Sequence, residues 1–216
     1  CAGWQRSHYG WAVDPSIIRV VPDVLEAYEL FLRELVGAGN SVIVPTPAYM
    51  PFLSVPKLYD VDVIEIEMLQ SGDAETGEAQ WVFDFDAIER AFAAGCHAFV
   101  LCNPHNPIGK VLTLEEELRL SDLAAQYDVR IFNDEIHAPF VFEGKHIPFP
   151  TISEQAALQS MTATSASKSF NIPGTKCAQV LLTNPADRDM WAVKAEWSEH
   201  QTSTICAIAT TNAYNE

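Results

Sequence analysis

The segment Ala98–Cys102, AFVLC, is a run of five apolar residues without a polar position, and it constrains the fold more than any other stretch of the chain. A strand wetted on one face alternates polar and apolar residues. A strand with no polar position is covered on both faces, which places it inside a mostly parallel sheet flanked by helices. The neighbouring pattern agrees with this. Asp84 opens a helical stretch to about Ala94, and beyond the run Thr113 and Glu116 have capping-box spacing for a helix whose apolar stripe is Leu120, Leu123, Ala124 and Tyr127.

The same alternation recurs along the chain. Ile17 to Val21 is an apolar, β-branched run cut by Pro22-Asp23, and Asp23 is placed to cap a helix to about Val36 that carries Val24, Ala27, Tyr28, Phe31 and Leu35 at helical spacing. Gly37 and Gly39 end that helix, Ser41 to Val44 is a short buried strand, and the proline-rich segment Thr46 to Phe52 is a stiff loop. Val61 to Ile66 and Val129 to Phe132 are further strands, with an exposed loop or hairpin expected over Leu69 to Gln80. Strands and amphipathic helices in alternation define an α/β chain: a three-layer α/β/α sandwich around a mostly parallel, mixed sheet, with 1–216 as one domain.

In such sheets, sites form beyond the carboxyl ends of the strands. Five chemically suggestive segments each follow a strand: Pro22 to Val24, Thr46 to Tyr49, Asn103 to Pro107, Asp134 to His137, and Ser165 to Lys168. Taken singly, each has a plain structural reading. Lys168 among Ser165, Ser167 and Ser169 is a solvated loop lysine or a reactive amine. Asn106, between prolines, is a turn residue or a rigidly held amide. Asp134, directly after a buried strand, needs a helix N-terminus, a salt bridge or a ligand cation as partner, because an unpaired buried charge is costly. Tyr49 is a core aromatic or a flat surface for a planar ligand. His137 has no second histidine at metal-binding spacing, so a zinc site is disfavoured.

Composition removes other classes. Acidic residues outnumber basic ones by 29 to 13, a formal charge of -16, which repels phosphate backbones and anionic lipid and argues against nucleic acid or membrane as partners. The five cysteines are odd in number and form no C-x-x-C pair, so the expected compartment is a reducing cytoplasm. Dinucleotide, P-loop and G-x-S-x-G motifs are absent from the sequence.

Read together and in order, PTPAYMPF, NPHNPIGK, NDEIH and TSASKSFNIPG resemble the fold type I pyridoxal-phosphate enzymes, the aspartate aminotransferase superfamily, and within it the MalY/PatB branch of cystathionine β-lyases or C-S lyases. The resemblance spans nearly the whole chain. It implies a PLP-transferase large domain with pyridoxal 5'-phosphate as cofactor. Lys168 would bond the cofactor aldehyde, Asp134 would pair with the pyridine nitrogen, and Asn106 would hydrogen-bond the phenolic oxygen. His137 would sit nearby, and Tyr49 would stack on the ring. The phosphate would lie on the amides of Asp23 and Val24, with Ser165 adding a hydroxyl.

Two positions depart from the superfamily pattern. Lys176 stands where many members have an arginine for the phosphate, and Asp23 puts a carboxylate beside that group. The resemblance further implies β-elimination on an amino-acid substrate, with aminotransfer as the alternative and a non-catalytic regulatory domain as a third reading. It also implies a homodimer, and an N-terminal arm and C-terminal small domain that this chain does not include.

Overall fold

In a computed structural model that describes residues 1–72 and 80–215, the chain opens with helix α1 (Ala2–Tyr9) and strand β1 (Ile18–Val21). Helix α2 (Val24–Phe31) follows and continues as a wider π turn over Leu32–Val36. Asp23 caps it, its Oδ1 accepting the Glu26 N–H at 2.9 Å, and Gly37 ends it at φ 81°, a conformation that favours glycine. Then come β2 (Ser41–Thr46), α3 (Met50–Ser54), β3 (Asp62–Glu67), β4 (Leu69–Ser71), β5 (Gln80–Val82), α4 (Phe85–Ala93) and β6 (Ala98–Cys102). The second half holds α5 (Leu114–Gln126), β7 (Arg130–Asp134), α6 (Glu154–Gln159), β8 (Ser160–Ser165), α7 (Ala166–Ser169), β9 (Ala178–Leu181), α8 (Pro185–Met190), α9 (Glu196–Glu199) and α10 (Thr204–Ala213).

Seven strands form one sheet in the order β1-β9-β8-β7-β6-β2-β3, with β9 antiparallel to both of its neighbours and the remaining pairs parallel. The expected mixed, mostly parallel sheet is therefore present. The AFVLC run is β6, buried along its whole length. Its Ala98, Val100 and Cys102 join the apolar cluster of α2, with Tyr28, Phe31 and Phe132, while Phe99 and Leu101 join Phe92, Leu120 and Ile131 under α4 and α5. Two separate cores on the two faces of one sheet make the three layers.

Several boundaries differ from those the sequence implies, each for a local reason. The segment Thr46 to Phe52 is not all loop: β2 runs to Thr46, and Met50–Ser54 closes a short helix because Pro51 lies in its first turn, where no N–H is needed. The lysine segment is also more regular than a loop, since Ala166–Ser169 winds one helical turn after β8. The strand expected over Val129 to Phe132 extends to Asp134. Leu69–Ser71 and Gln80–Val82 pair antiparallel as expected for a hairpin, and 73–79 of that stretch lie outside the described residues. The capping box is complete, with the Thr113 hydroxyl and Glu116 carboxylate each accepting the other's backbone N–H. Among the described residues, no helix is long and apolar enough to cross a membrane.

Candidate active site

Because β1, β2, β6, β7 and β8 run in one direction, their carboxyl ends open on one edge of the sheet, and all five suggestive segments converge there. They enclose a cleft of about 230 Å³. Asp23, Val24, Tyr49, Asn106, Asp134, His137, Ser165, Lys168 and Lys176 all line it, so every residue singled out from the sequence lies in one place. The structure adds Phe52, Ser167 and Thr175 to the lining.

Asp134, the last residue of β7, is almost fully buried, and its Oδ1 accepts the Ile136 N–H at 3.0 Å. Among the described residues no cationic side chain lies within ion-pair distance of it. Burial pushes its carboxyl up to about 7, with Glu135 adding repulsion, and the Ile136 N–H and the Lys168 ammonium offset only part of this. A carboxylate held in this way is prepared for a cation delivered by a ligand. Lys168, from the single turn of α7, is exposed to the cleft. Burial also drives the His137 imidazole below its ordinary range and Lys168 adds to this, so the ring is neutral near pH 7.

Tyr49 is 39% exposed and meets Phe52 edge-on at 5.6 Å, leaving part of its ring to the cleft and part to the apolar wall. Asn106 is half-buried. Its loop is held from below by Asn103, whose Oδ1 accepts the Leu112 N–H at 3.1 Å and whose Nδ2 donates to Glu117 Oε1 at 2.6 Å. The Ser165 hydroxyl caps α7 by accepting the Ser167 N–H at 3.1 Å, and it donates to the Cys177 carbonyl at 3.3 Å. The Asp23 carboxylate is turned to Glu26 and to Lys176, whose Nζ donates to Oδ2 at 2.7 Å. Burial works against that carboxylate, yet Lys176 and the helix N–H outweigh it and hold the group below its usual range. Cys102, beside Asp134, is a packing residue, since burial and the neighbouring carboxyl push its thiol far up.

Glu117 and the pair Glu135 and His146 escape a motif-based reading. All three are buried and none lines the cleft. The available signals were a glutamate one position past the capping box in α5 and a second carboxylate following Asp134.

An α/β domain whose strand ends bring a lysine, an aspartate and an asparagine into one cleft defines the class. The chain belongs to the aminotransferase class I and II family, whose sequence model matches residues 4–215. It is 37% identical over 214 residues to a cystathionine beta-lyase of Corynebacterium glutamicum, covering 99% of this chain and 55% of that protein. It is 30% identical to the cystathionine beta-lyase PatB of Bacillus subtilis, covering 86% of this chain and 47% of the relative. Cystalysin from Treponema denticola, whose crystal structure contains pyridoxal 5'-phosphate, superposes with a TM-score of 0.89 at 28% identity over 100% of this chain and 54% of that one. The chain thus spans about half the length of the relatives it matches.

Proposed function

We propose that this chain is the cofactor-binding domain of a pyridoxal-phosphate-dependent carbon-sulfur β-lyase. One observation carries the reading: Asp134, buried at the end of β7 without a cationic partner among the described residues, shares a cleft with the exposed amine of Lys168. A protonated pyridine nitrogen fits Asp134, an aldehyde fits Lys168, and the ring fits against Tyr49, with His137 neutral at its side. Asn106 supplies an amide for the phenolic oxygen. The phosphate falls to the Asp23 and Val24 amides, the Ser165 hydroxyl and Lys176.

When bound, the cofactor supplies an electron sink. Asp134 would hold the ring nitrogen protonated, and the Lys168 amine would hold the aldehyde and serve as the base for the substrate's Cα proton. The carbon-sulfur bond would then break with the sulfur leaving as thiolate, and addition of one water to the remaining three-carbon enamine would give pyruvate and ammonia beside the thiol. Substrates of this kind are cystathionine or related cysteine conjugates, and the similarity to cystathionine beta-lyases supports that class. Aminotransfer is the second reading, supported by the breadth of the family. A homodimer and a cytoplasmic setting complete the proposal.

The experiment is pyruvate release from L-cystathionine by the full-length protein with added pyridoxal phosphate. Pyruvate release without an oxo acid supports the lyase, whereas no pyruvate, with the oxo acid of cystathionine formed only when an oxo-acid acceptor is added, overturns it in favour of aminotransfer. Lys168→Ala is expected to abolish release and to lose the cofactor that borohydride reduction otherwise fixes covalently to the protein as the visible band is bleached. Cofactor that borohydride still fixes to Lys168→Ala overturns the assignment of Lys168.

A further inference from the structure

Directly after Asp134 the chain builds a second buried carboxylate that does not line the cleft. Glu135 Oε1 accepts from Asn133 Nδ2 at 2.8 Å and from the Phe149 N–H at 2.9 Å. Glu135 Oε2 lies 3.3 Å from His146 Nε2, both side chains being essentially inaccessible to solvent. Their angles do not form a hydrogen bond, and among the described residues neither Oε2 nor either His146 ring nitrogen has a hydrogen-bond partner. Groups of this kind cost free energy when buried singly, and here they meet as opposite charges can. The Tyr9 ring closes the His146 side edge-on at 5.2 Å.

The pair also spans a structural joint. The Glu135 carbonyl accepts the Ala138 N–H at 3.0 Å, its N–H donates to the Ala163 carbonyl at 2.9 Å, and its carboxylate holds the N–H of Phe149. One residue therefore ties the turn carrying Asp134 and His137 to β8 and to the end of the 138–149 segment. Three other groups feel the Glu135 charge: the carboxyls of Asp134 and Glu117 and the phenol of Tyr9. The Lys168 ammonium acts on Asp134 from α7.

We infer that Glu135 and His146 are a positioning pair for Asp134: their contact fixes the turn that aims Asp134 into the cleft, and the charge balance within the pair sets the field Asp134 experiences. The inference rests on the pyridoxal-phosphate reading of the cleft. Replacing His146 withdraws the ring nitrogen that faces Glu135 Oε2, so the Glu135 charge acts more strongly on Asp134 and favours protonated cofactor; removing the Glu135 charge does the opposite.

The test titrates the visible absorbance of pyridoxal phosphate bound to the full-length protein against pH, in wild type, His146→Gln, Glu135→Gln and the double variant. His146→Gln should move the spectral midpoint up by about half a pH unit or more. Glu135→Gln should move it down by a similar amount, and the double variant should return to within about 0.3 unit of wild type. Midpoints unchanged in both single variants, or displaced in the same direction, overturn the pairing and leave these residues as packing. Should Glu135→Gln fail to fold, His146→Phe joins His146→Gln, and an unshifted midpoint in both overturns the inference. A wild-type protein that takes up no pyridoxal phosphate overturns the underlying reading of the cleft instead.

Discussion

Lys176 Nζ donates to Asp23 Oδ2 at 2.7 Å across the mouth of the cleft, so the cation expected to serve the cofactor phosphate is already engaged by a carboxylate 153 residues away in sequence. Asp23 has two tasks, capping α2 and holding Lys176, and only the second uses its charge. Asp23→Asn keeps the cap, since asparagine caps as well as aspartate, and releases Lys176. The pair is partly exposed, so the effect is modest: pyridoxal phosphate should bind about two- to fivefold more tightly. Fluorescence titration at low and high salt checks this, and the gain should shrink as salt rises.

Asp134→Asn should act in opposite directions on activity and on stability. On the proposed pairing with the cofactor ring, loss of the Asp134 charge should lower kcat/KM about 10²- to 10³-fold, the size of one broken buried pair. The cofactor-free protein should become more stable, because a strained carboxylate is gone. The folded Asp134 carboxyl titrates at about 7, above its usual range. Its ionisation therefore weakens the fold as pH rises from about 4 through 7. The advantage of the variant should be small at pH 4.5 and full by pH 8, as read from urea midpoints.

Glu117 gives a parallel test away from the cleft. Burial and Glu135 push its carboxyl up to about 8, with the Asn103 amide working the other way. The folded state binds the proton more tightly than the unfolded chain, so stability is lost as pH climbs from about 4 to 8. Glu117→Gln keeps an acceptor for Asn103 Nδ2 and should flatten that decline. A stability curve as steep as that of wild type between pH 5 and 8 counts against this assignment.

Arg130 grips Asp187 with two guanidinium nitrogens, Nη1 to Oδ1 at 3.0 Å, and Asp187 is only 1% exposed. Arg130→Ala strands that carboxylate and should cost about 3–5 kcal/mol. Replacing both residues by apolar ones of similar size should cost much less, and chemical denaturation of the single and double variants measures the difference.

The sheet and the cleft were legible for a shared reason. Ala98–Cys102 carries its burial in its composition, and the loop residues follow strand ends whose direction the alternation of elements implies. Lys168 and Asp134 therefore could be assigned to one site before any coordinate. The Glu135 and His146 pair was not legible, because its members are eleven positions apart with an irregular segment between them, and only folding of 138–149 back onto β7 brings them together. Glu117 was hidden for a related reason: on the surface of an isolated helix a glutamate is ordinary, and it becomes unusual only once α5 lies on the sheet above Asn103. The one-turn helix at Lys168 and the helical turn at Met50 were obscured by serine and proline, residues that signal loops and also begin helices.

The reversal of β9 has a kinetic side. Because β9 runs against β8, the connection from Ser165 to Ala178 leaves and re-enters the same edge of the sheet, and the lysine turn is a loop closed by immediately adjacent strands. Closing so short a loop loses little chain entropy compared with bringing together strands distant in sequence. Lys168 and Lys176 therefore acquire their relative placement through contacts local in sequence, whereas Asp23 and Asn106 must arrive from far along the chain. The turn bearing Lys168 is therefore expected to be among the first parts of the cleft to form, which pulsed hydrogen exchange of the amides between Ser165 and Ala178 would check.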